Sequence, residues 1–198
     1  MNKVVKAVLT GLNESHKKYH EWADEWLWHA PEYLMTINIA HQLKNKTNYV
    51  TLENGIRKTI KDSGASSRGR LKDSIRPNGK SDILLWSSND EPRAVIEVKN
   101  QPKSYSSLKK DVDRIVGMLK KGRKKSTLEF GIIAFHISLT DLPNKKSEAR
   151  MIDKISNITS SFKKHIEPMG YSAQHKHIGP ETEGEDSWCS TCLVISPN

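Results

Sequence analysis

Three features that are scarce or absent in this sequence narrow what the protein can be. The 198 residues include only two cysteines, too few for the disulfide framework of a small secreted domain. No hydrophobic run approaches the length of a transmembrane helix. The apolar stretch from Met1 to Leu12 is too short and interrupted for a signal peptide. We therefore expect a cytoplasmic protein without membrane association.

Acidic residues are outnumbered by basic ones. Lys and Arg number 32 against 23 Asp and Glu, which gives a formal net charge of +9. This excess favours a polyanionic partner, nucleic acid before membrane, although positive charge can also serve solubility alone. The length suffices for one domain with a proper core, and residues 1–198 show no internal repeat and no second domain.

What the sequence does contain is a candidate β-hairpin within residues 80–100. The segments 81–86 and 93–99 are rich in β-branched, aromatic and leucine side chains, which favours strands. The segment 87–92 between them has the composition of a turn. We therefore predict two adjacent antiparallel strands.

This hairpin brings charged side chains together in an apolar setting. A turn in the middle of the polar segment places Asp82 opposite Glu97, and alternation puts Lys99 on the face of Glu97. Opposed carboxylates destabilise a sheet unless a cation or a proton neutralises them. Mg²⁺ accepts one or two carboxylates with waters and phosphate oxygens, so Asp82 and Glu97 are candidate ligands, with the carbonyl of Val98 as a third oxygen. The alternative is an edge hairpin whose charged face points to water.

The same residues carry a family resemblance. Asp82, followed by the strand motif Glu97-Val98-Lys99, resembles the PD-(D/E)xK nuclease superfamily, which includes many restriction endonucleases and repair nucleases. Ser81 rather than Pro precedes Asp82, at a position that varies within the superfamily. The resemblance implies a restriction-endonuclease-like fold and a phosphodiesterase that uses Mg²⁺, with Mn²⁺ as a substitute.

Residues 13–45 are predicted to be helical, in two segments. Glu32 lies at the start of the second segment, on its apolar face. A negative charge is favourable at a helix N-terminus, whereas the resemblance implies a third carboxylate near the metal. In the first segment, Trp22, Trp26 and His29 follow helical spacing and predict an aromatic stripe, in the core or at an interface.

Basic residues flank the hairpin in segments predicted as loops. Arg and Lys side chains bind phosphate groups, whereas a solvated surface is the alternative. The predicted nucleic-acid-binding residues are Arg68, Arg70, Arg76 and Lys80 before the hairpin, Lys103 after it, and Lys124 and Lys125 beyond the next helix.

The rest of the chain alternates helices and strands. Segments 106–121 and 145–167 have helical spacing, and the apolar run 130–137 fits a central strand covered on both faces. Two late strands are expected within about residues 171–195, around an acidic loop. This order predicts an α/β/α sandwich around a central mixed β-sheet.

A competing metal site comes from the C-terminal part. His175, His177, Cys189 and Cys192 have the ligand chemistry of zinc. The two cysteines, three apart in a strand, would point to opposite faces. Ordinary buried cysteines are therefore favoured, with zinc binding left open.

The leading interpretation is a metal-dependent deoxyribonuclease, an endonuclease in preference to an exonuclease. Asp82 and Glu97 would hold the metal, Lys99 would position or deprotonate the attacking water, and Glu32 would hold a second metal or a bridging water. RNA stays open as a substrate, and so does homodimerisation. The alternative function is a non-catalytic nucleic-acid-binding module with a nuclease-like fold.

Overall fold

The structure, a computed structural model, describes residues 1–44, 49–65, 71–121 and 125–198. These residues form five α-helices and one six-stranded β-sheet. The helices are α1 (Asn2–Ala23), α2 (Glu32–Lys44), α3 (Ile56–Asp62), α4 (Tyr105–Lys120) and α5 (Ser147–Ile166). The strands are β1 (Tyr49–Gly55), β2 (Lys80–Trp86), β3 (Pro92–Asn100), β4 (Phe130–Thr140), β5 (Tyr171–Glu183) and β6 (Asp186–Pro197).

The sheet is open and mostly antiparallel, with the strand order β1-β2-β3-β4-β6-β5. Strands β3 and β4 are parallel, and the other neighbours are antiparallel. The parallel pair needs a crossover, and α4 lies within it. The predicted central strand is confirmed, since β4 has neighbours on both sides and is buried from Phe130 to Ser138.

Helices cover both faces of the sheet, so the chain is a mixed α/β protein. One hydrophobic cluster joins α3, α4 and α5 to the sheet, and a second joins α1 and α2 to its other face. Alternate residues of β3 divide between them: Val95 belongs to the first cluster, and Ile96 and Val98 belong to the second. Because both faces are buried, the central strands read as continuous apolar runs.

The helices α1 and α2 approach each other closely at Gly11. A Cβ atom at Gly11 would lie 2.6 Å from the Cα of Ile39 on α2, so any larger residue would push the helices apart. Beside this contact, the Asn38 amide donates a hydrogen bond of 3.1 Å to the hydroxyl of Ser15. The N-terminal helices therefore pack as a unit on the sheet.

The first helix begins earlier than the sequence predicted, at Asn2 rather than near residue 13. The apolar positions between Met1 and Leu12 form its buried face, since Val8 and Leu12 are fully buried in the cluster of α1, α2 and the sheet. Within the part of the chain that the structure describes, every helix is too short or too polar to traverse a bilayer.

The predicted helical stripe of Trp22, Trp26 and His29 is wrong. The helix α1 ends at Ala23, where Asp24 adopts a left-handed conformation with φ 53°. Trp22 is then 66% exposed, and Trp26 lies beyond the helix, just before a short 3-10 turn. The three residues therefore do not share one helix face.

The C-terminal strands are longer than predicted. The strand β5 runs to Glu183 and β6 begins at Asp186, so the expected acidic loop is mostly part of a long hairpin. Ten residues of β4 pair with β6. This pairing attaches the late segment, which lies outside the family resemblance, to the centre of the sheet.

Candidate active site

Strands β2 and β3 bring the two predicted acids together. Ile83 pairs with Ile96 in the antiparallel register, and one further step places Asp82 across from Glu97. The Oδ2 atom of Asp82 accepts a hydrogen bond of 2.7 Å from the backbone N–H of Val98. This bond holds the Asp82 carboxylate against β3, beside Glu97.

The charged side chains of the hairpin face α4. Leu84 on β2 and Val95 on β3 belong to the hydrophobic cluster beneath α4 and α5. Asp82, Glu97 and Lys99 lie two or four residues from them along the same strands, so they share that face. The three residues that carry the sequence motif therefore lie on one side of the sheet.

Glu32, the first residue of α2, reaches the end of β3. Its two carboxylate oxygens accept hydrogen bonds of 3.0 Å from Lys99 Nζ and 3.0 Å from the backbone N–H of Asn100. The Asn100 side chain in turn donates to the carbonyls of Leu27 and Ala30, at 2.8 and 3.1 Å. These bonds tie the segment before α2 to β3, so Glu32 is a neighbour of Lys99 and not only a helix-end charge.

Two charged residues that the sequence did not single out join these side chains from α4. Arg114 Nη2 lies 2.6 Å from Glu97 Oε2 and 2.5 Å from Asp111 Oδ1. The Asp111 carboxylate also lies 3.8 Å from Lys99 Nζ. Arg114 is 4% exposed and Glu97 is 1% exposed, so this is a buried ion pair. We call the group the carboxylate cluster; its members are Glu32, Asp82, Glu97, Lys99, Asp111 and Arg114.

One of these two residues left a signal in the sequence. Asp111 lies three residues after Leu108 and four before Ile115, on the apolar stripe of α4. The same observation, an acid on an apolar helix face, singled out Glu32. Arg114 left no such signal, because helical spacing alone does not show that β3 presents Glu97 to it.

Burial changes the protonation of the strand carboxyl groups. It raises the pKa of Glu97 to about 8, against the opposing effect of Arg114. Burial also raises the pKa of Asp82, against the hydrogen bond from Val98. In the described part of the chain, Glu97 Oε1 is buried and has no hydrogen-bond partner. This oxygen is therefore open to a proton or to a cation.

The same surroundings keep Lys99 protonated. Burial alone would lower the pKa of Lys99, but the carboxylates of Asp111 and Glu32 outweigh this effect, and the pKa is raised. A lysine with a raised pKa is a poor general base at neutral pH. Lys99 is better suited to hold a phosphate or orient a water as a cation.

The donor atoms suit a hard divalent cation. No group of three or more His, Cys, Asp or Glu side chains within residues 1–44, 49–65, 71–121 and 125–198 is arranged as a metal site. The predicted set is smaller: the carboxylates of Asp82 and Glu97 with the carbonyl of Val98. Mg²⁺ accepts two carboxylates when waters and phosphate complete its shell, and Glu97 Oε1 is unpartnered among the described residues. The residues present therefore fit Mg²⁺ or Mn²⁺, which would compete with Arg114 for Glu97.

The predicted nucleic-acid-binding residues are spread over several surfaces. Arg76 is exposed at the end of a short 3-10 turn. Lys80 opens β2, two residues before Asp82, and lies 3.6 Å from a Glu53 oxygen. Lys103 lies between β3 and α4, and Lys125 is exposed before β4. The remaining three, Arg68, Arg70 and Lys124, lie outside the described residues.

The candidate zinc ligands do not converge. Cys189 belongs to the hydrophobic cluster on the α4 face and Cys192 to the cluster on the α1 face, as their spacing predicted. Both are free and buried. His175 and His177 stack on each other on β5, with ring centroids 5.0 Å apart. Cysteines on opposite faces of a sheet cannot complete one tetrahedral site.

A second polar group, missed by sequence analysis, is buried on the α1 face of the sheet. His16 on α1 stacks on His136 of β4 and on Trp188 of β6, with centroids 5.2 and 4.6 Å apart. Trp26 lies 5.3 Å from His16 and 5.4 Å from Trp188. We call these four residues the histidine–tryptophan cluster. Burial lowers the pKa of His16 to about 4 and of His136 to about 3, so both rings are neutral at pH 7.

Comparison with known proteins does not assign the chain to a family. No family model matches the chain, and no significant match is found among curated proteins or solved structures.

Proposed function

We propose that the protein is a metal-dependent deoxyribonuclease of the PD-(D/E)xK type, an endonuclease in preference to an exonuclease. The observation that carries the proposal is the pairing of Asp82 with Glu97 on one face of a hairpin, with Lys99 beside them. Paired carboxylates with an adjacent lysine are the groups needed to hold a divalent cation against a phosphodiester.

The architecture supports a restriction-endonuclease-like fold. An antiparallel hairpin leads into a strand that runs parallel to β4, and helices cover both faces of the mixed sheet. The residues that match the superfamily motif lie in the middle of this arrangement, on β2 and β3. The helix that carries Glu32 precedes the hairpin, as the resemblance implies.

Four residues of the carboxylate cluster have separate roles in this proposal. Asp82 and Glu97, with the carbonyl of Val98, would hold Mg²⁺ or Mn²⁺. The cation, when bound, lowers the pKa of a water and neutralises charge on the scissile phosphate. Lys99, kept charged by its acidic neighbours, binds a phosphate oxygen and orients the attacking water. Glu32 holds Lys99 in place at 3.0 Å and accepts a hydrogen bond from that water.

Charge supports DNA as the partner. The formal net charge is +9, and Lys80, Arg76 and Lys103 are exposed in segments that adjoin the strands of the site. Electrostatic attraction of this kind binds the phosphate backbone and does not depend on the base sequence. RNA shares that backbone and is therefore tested beside DNA.

One observation favours a second candidate, a non-catalytic nucleic-acid-binding module. Arg114 already places a positive charge 2.6 Å from Glu97. A bound metal would supply the same positive charge. In this alternative the carboxylate cluster would stabilise the fold, and the basic surface would carry the function.

Replacement of Lys99 separates the two candidates. In the nuclease, Lys99→Ala should lower plasmid nicking about a hundredfold or more, because a positioned charge at the phosphate is lost. Its Mg²⁺ affinity should stay the same or rise, because a like charge beside the metal disappears. Glu97→Ala should lose both nicking and metal binding. Calorimetric Mg²⁺ titration and plasmid nicking on the same samples measure both quantities.

Lys176→Ala, which removes an exposed lysine of β5, is the matched control and should behave as wild type. If the wild-type protein cuts neither DNA nor RNA with Mg²⁺ or Mn²⁺ and binds neither ion in the presence of DNA, the binding module is correct. If it cuts but Lys99→Ala cuts equally well, the chemistry lies elsewhere in the chain.

A further inference from the structure

A broad groove lies between α4 and α5, separate from the carboxylate cluster. Its volume is about 980 Å³, and its walls include Tyr105 and Lys109 from α4. Asp111 and Arg114, which face Glu97, lie on the other side of the same helix. The groove and the candidate active site are therefore neighbours that share α4 as a common wall.

The lining of this groove is strongly basic. It has one carboxylate, from Asp153, among the described lining residues. Its cationic side chains are Lys103, Lys109, Lys145, Arg150, Lys154 and Lys164. The groove therefore carries a large excess of positive charge.

Three of the five groove lysines have no acidic partner among the described residues. Lys145 pairs with Asp153 at 2.5 Å, and Lys109 pairs with Asp113 at 2.7 Å. For the ammonium groups of the other lysines, no carboxylate lies within 4.0 Å in the part of the chain that the structure describes. These unpaired residues are Lys103, Lys154 and Lys164.

Lys154 is the least exposed of the three unpaired groove lysines. It is only partly exposed, and burial together with the neighbouring Arg150 lowers its pKa. An ammonium group that is half-buried beside another cation is costly unless an anion offsets both charges. No side chain of the described residues supplies that anion to Lys154.

The groove also offers neutral hydrogen-bond donors. Ser106, Asn157 and Ser161 line it. The Tyr105 ring packs on Phe162 and His165, with centroids 6.5 and 5.9 Å apart. Hydroxyl and amide groups beside lysines are the usual partners of phosphate oxygens.

We propose that this groove binds the sugar–phosphate backbone of DNA and holds the strand next to the carboxylate cluster. The inference rests on the proposed partner, nucleic acid, but not on cleavage. The length of the groove indicates a polymer: Arg150 and Lys164 are about 21 Å apart along the axis of α5. Successive phosphates of one strand advance about 3.4 Å along a duplex, so several phosphates fit where a single small anion would leave most lysines unpaired.

The test compares two triple variants with the same change in net charge. Lys103→Ala/Lys154→Ala/Lys164→Ala removes the unpaired groove lysines. Lys3→Ala/Lys6→Ala/Lys17→Ala removes three exposed lysines of α1, on the opposite face of the sheet. Binding of a fluorescein-labelled 20-base-pair duplex is followed by fluorescence anisotropy in EDTA, from low to high NaCl, so that no cleavage occurs.

The groove variant should bind at least about tenfold more weakly at 100 mM NaCl. The slope of log K against log[NaCl] should fall by about two to three, because each lost phosphate contact removes about 0.9. The α1 variant should bind within about threefold of wild type, since its lysines lie away from the groove. Lys154→Arg, which keeps the charge, should also bind like wild type.

The remaining outcomes distinguish the groove proposal from the nuclease proposal. Equal weakening by both triple variants, or no DNA binding by the wild type, would overturn the groove as a binding site. If groove variants bind normally while the wild type nicks plasmid with Mg²⁺, the groove proposal fails and the nuclease stands. If only the groove variant loses binding and nothing is ever cut, the groove stands and the nuclease fails.

Discussion

The carboxylate cluster and the histidine–tryptophan cluster accommodate buried polar side chains in opposite ways. Both bury polar side chains against the sheet, the first beneath α4 and the second beneath α1. In the first, acidic side chains lie against cationic ones, as in Asp111 with Arg114 at 2.5 Å. In the second, His16 and His136 are neutral and stack, with centroids 5.2 Å apart.

The two clusters have opposite dependences on pH. Burial raises the pKa of an acid and lowers that of a histidine, since it disfavours the charged form of each. The folded state therefore holds an extra proton on Glu97 and lacks one on His16. Stability must then fall with rising pH through one cluster and rise with pH through the other.

The largest expected effect comes from breaking the buried ion pair. Arg114→Met leaves Glu97 and Asp111 without their common cation and should lower the free energy of unfolding by about 3–5 kcal/mol at pH 7. Urea denaturation followed by circular dichroism measures it. Lys109→Met, on the exposed pair of the same helix with Asp113, is the control and should cost less than about 1 kcal/mol. Equal losses for the two variants would mean that the cluster behaves like a surface network.

The next largest effect tests how Glu97, in the carboxylate cluster, makes stability depend on pH. The folded-state pKa of Glu97 is about 8 against 4.5 in the unfolded chain, so wild-type stability should fall as pH rises between these values. Glu97→Gln should match wild type near pH 5 and exceed it by about 2–4 kcal/mol at pH 9. Denaturation curves across that range test this, with the exposed Glu129→Gln as control. A constant difference between the Glu97→Gln variant and wild type would contradict the raised pKa.

The smallest effect tests how His16, in the histidine–tryptophan cluster, makes stability depend on pH. The pKa of His16 is about 4 in the folded state against 6.5 unfolded, because of burial and of the nearby His20 and Lys17. Wild-type stability should therefore be lost as pH falls from about 6.5 to 4. His16→Phe keeps the ring stack and should reduce this acid-side loss by about 2–3 kcal/mol, whereas the exposed His41→Phe should leave it unchanged. An unaltered acid-side slope in the His16→Phe variant would show that His16 is not kept neutral by burial.

Much of the site was predictable because it is encoded over short distances. Asp82 and Glu97 are joined by a single turn, so alternation and composition were enough to place them together. Glu32 was singled out because an acid on an apolar helix face needs a reason and the family resemblance implied a carboxylate near the hairpin; the structure pairs it with Lys99. The aromatic stripe failed because it depended on α1 continuing past Asp24, whose left-handed backbone ends the helix.

By itself the sequence determined the hairpin, the buried central strand and the shared face of Asp82, Glu97 and Lys99, since each follows from periodicity within one or two adjacent segments. Only the tertiary structure decided that Arg114 is the counter-ion of Glu97, and that His16 stacks between β4 and β6. It also decided that lysines from the start of α4 and along α5 line one groove. These contacts join elements distant in the chain, and their geometry depends on how helices pack on the two faces of the sheet.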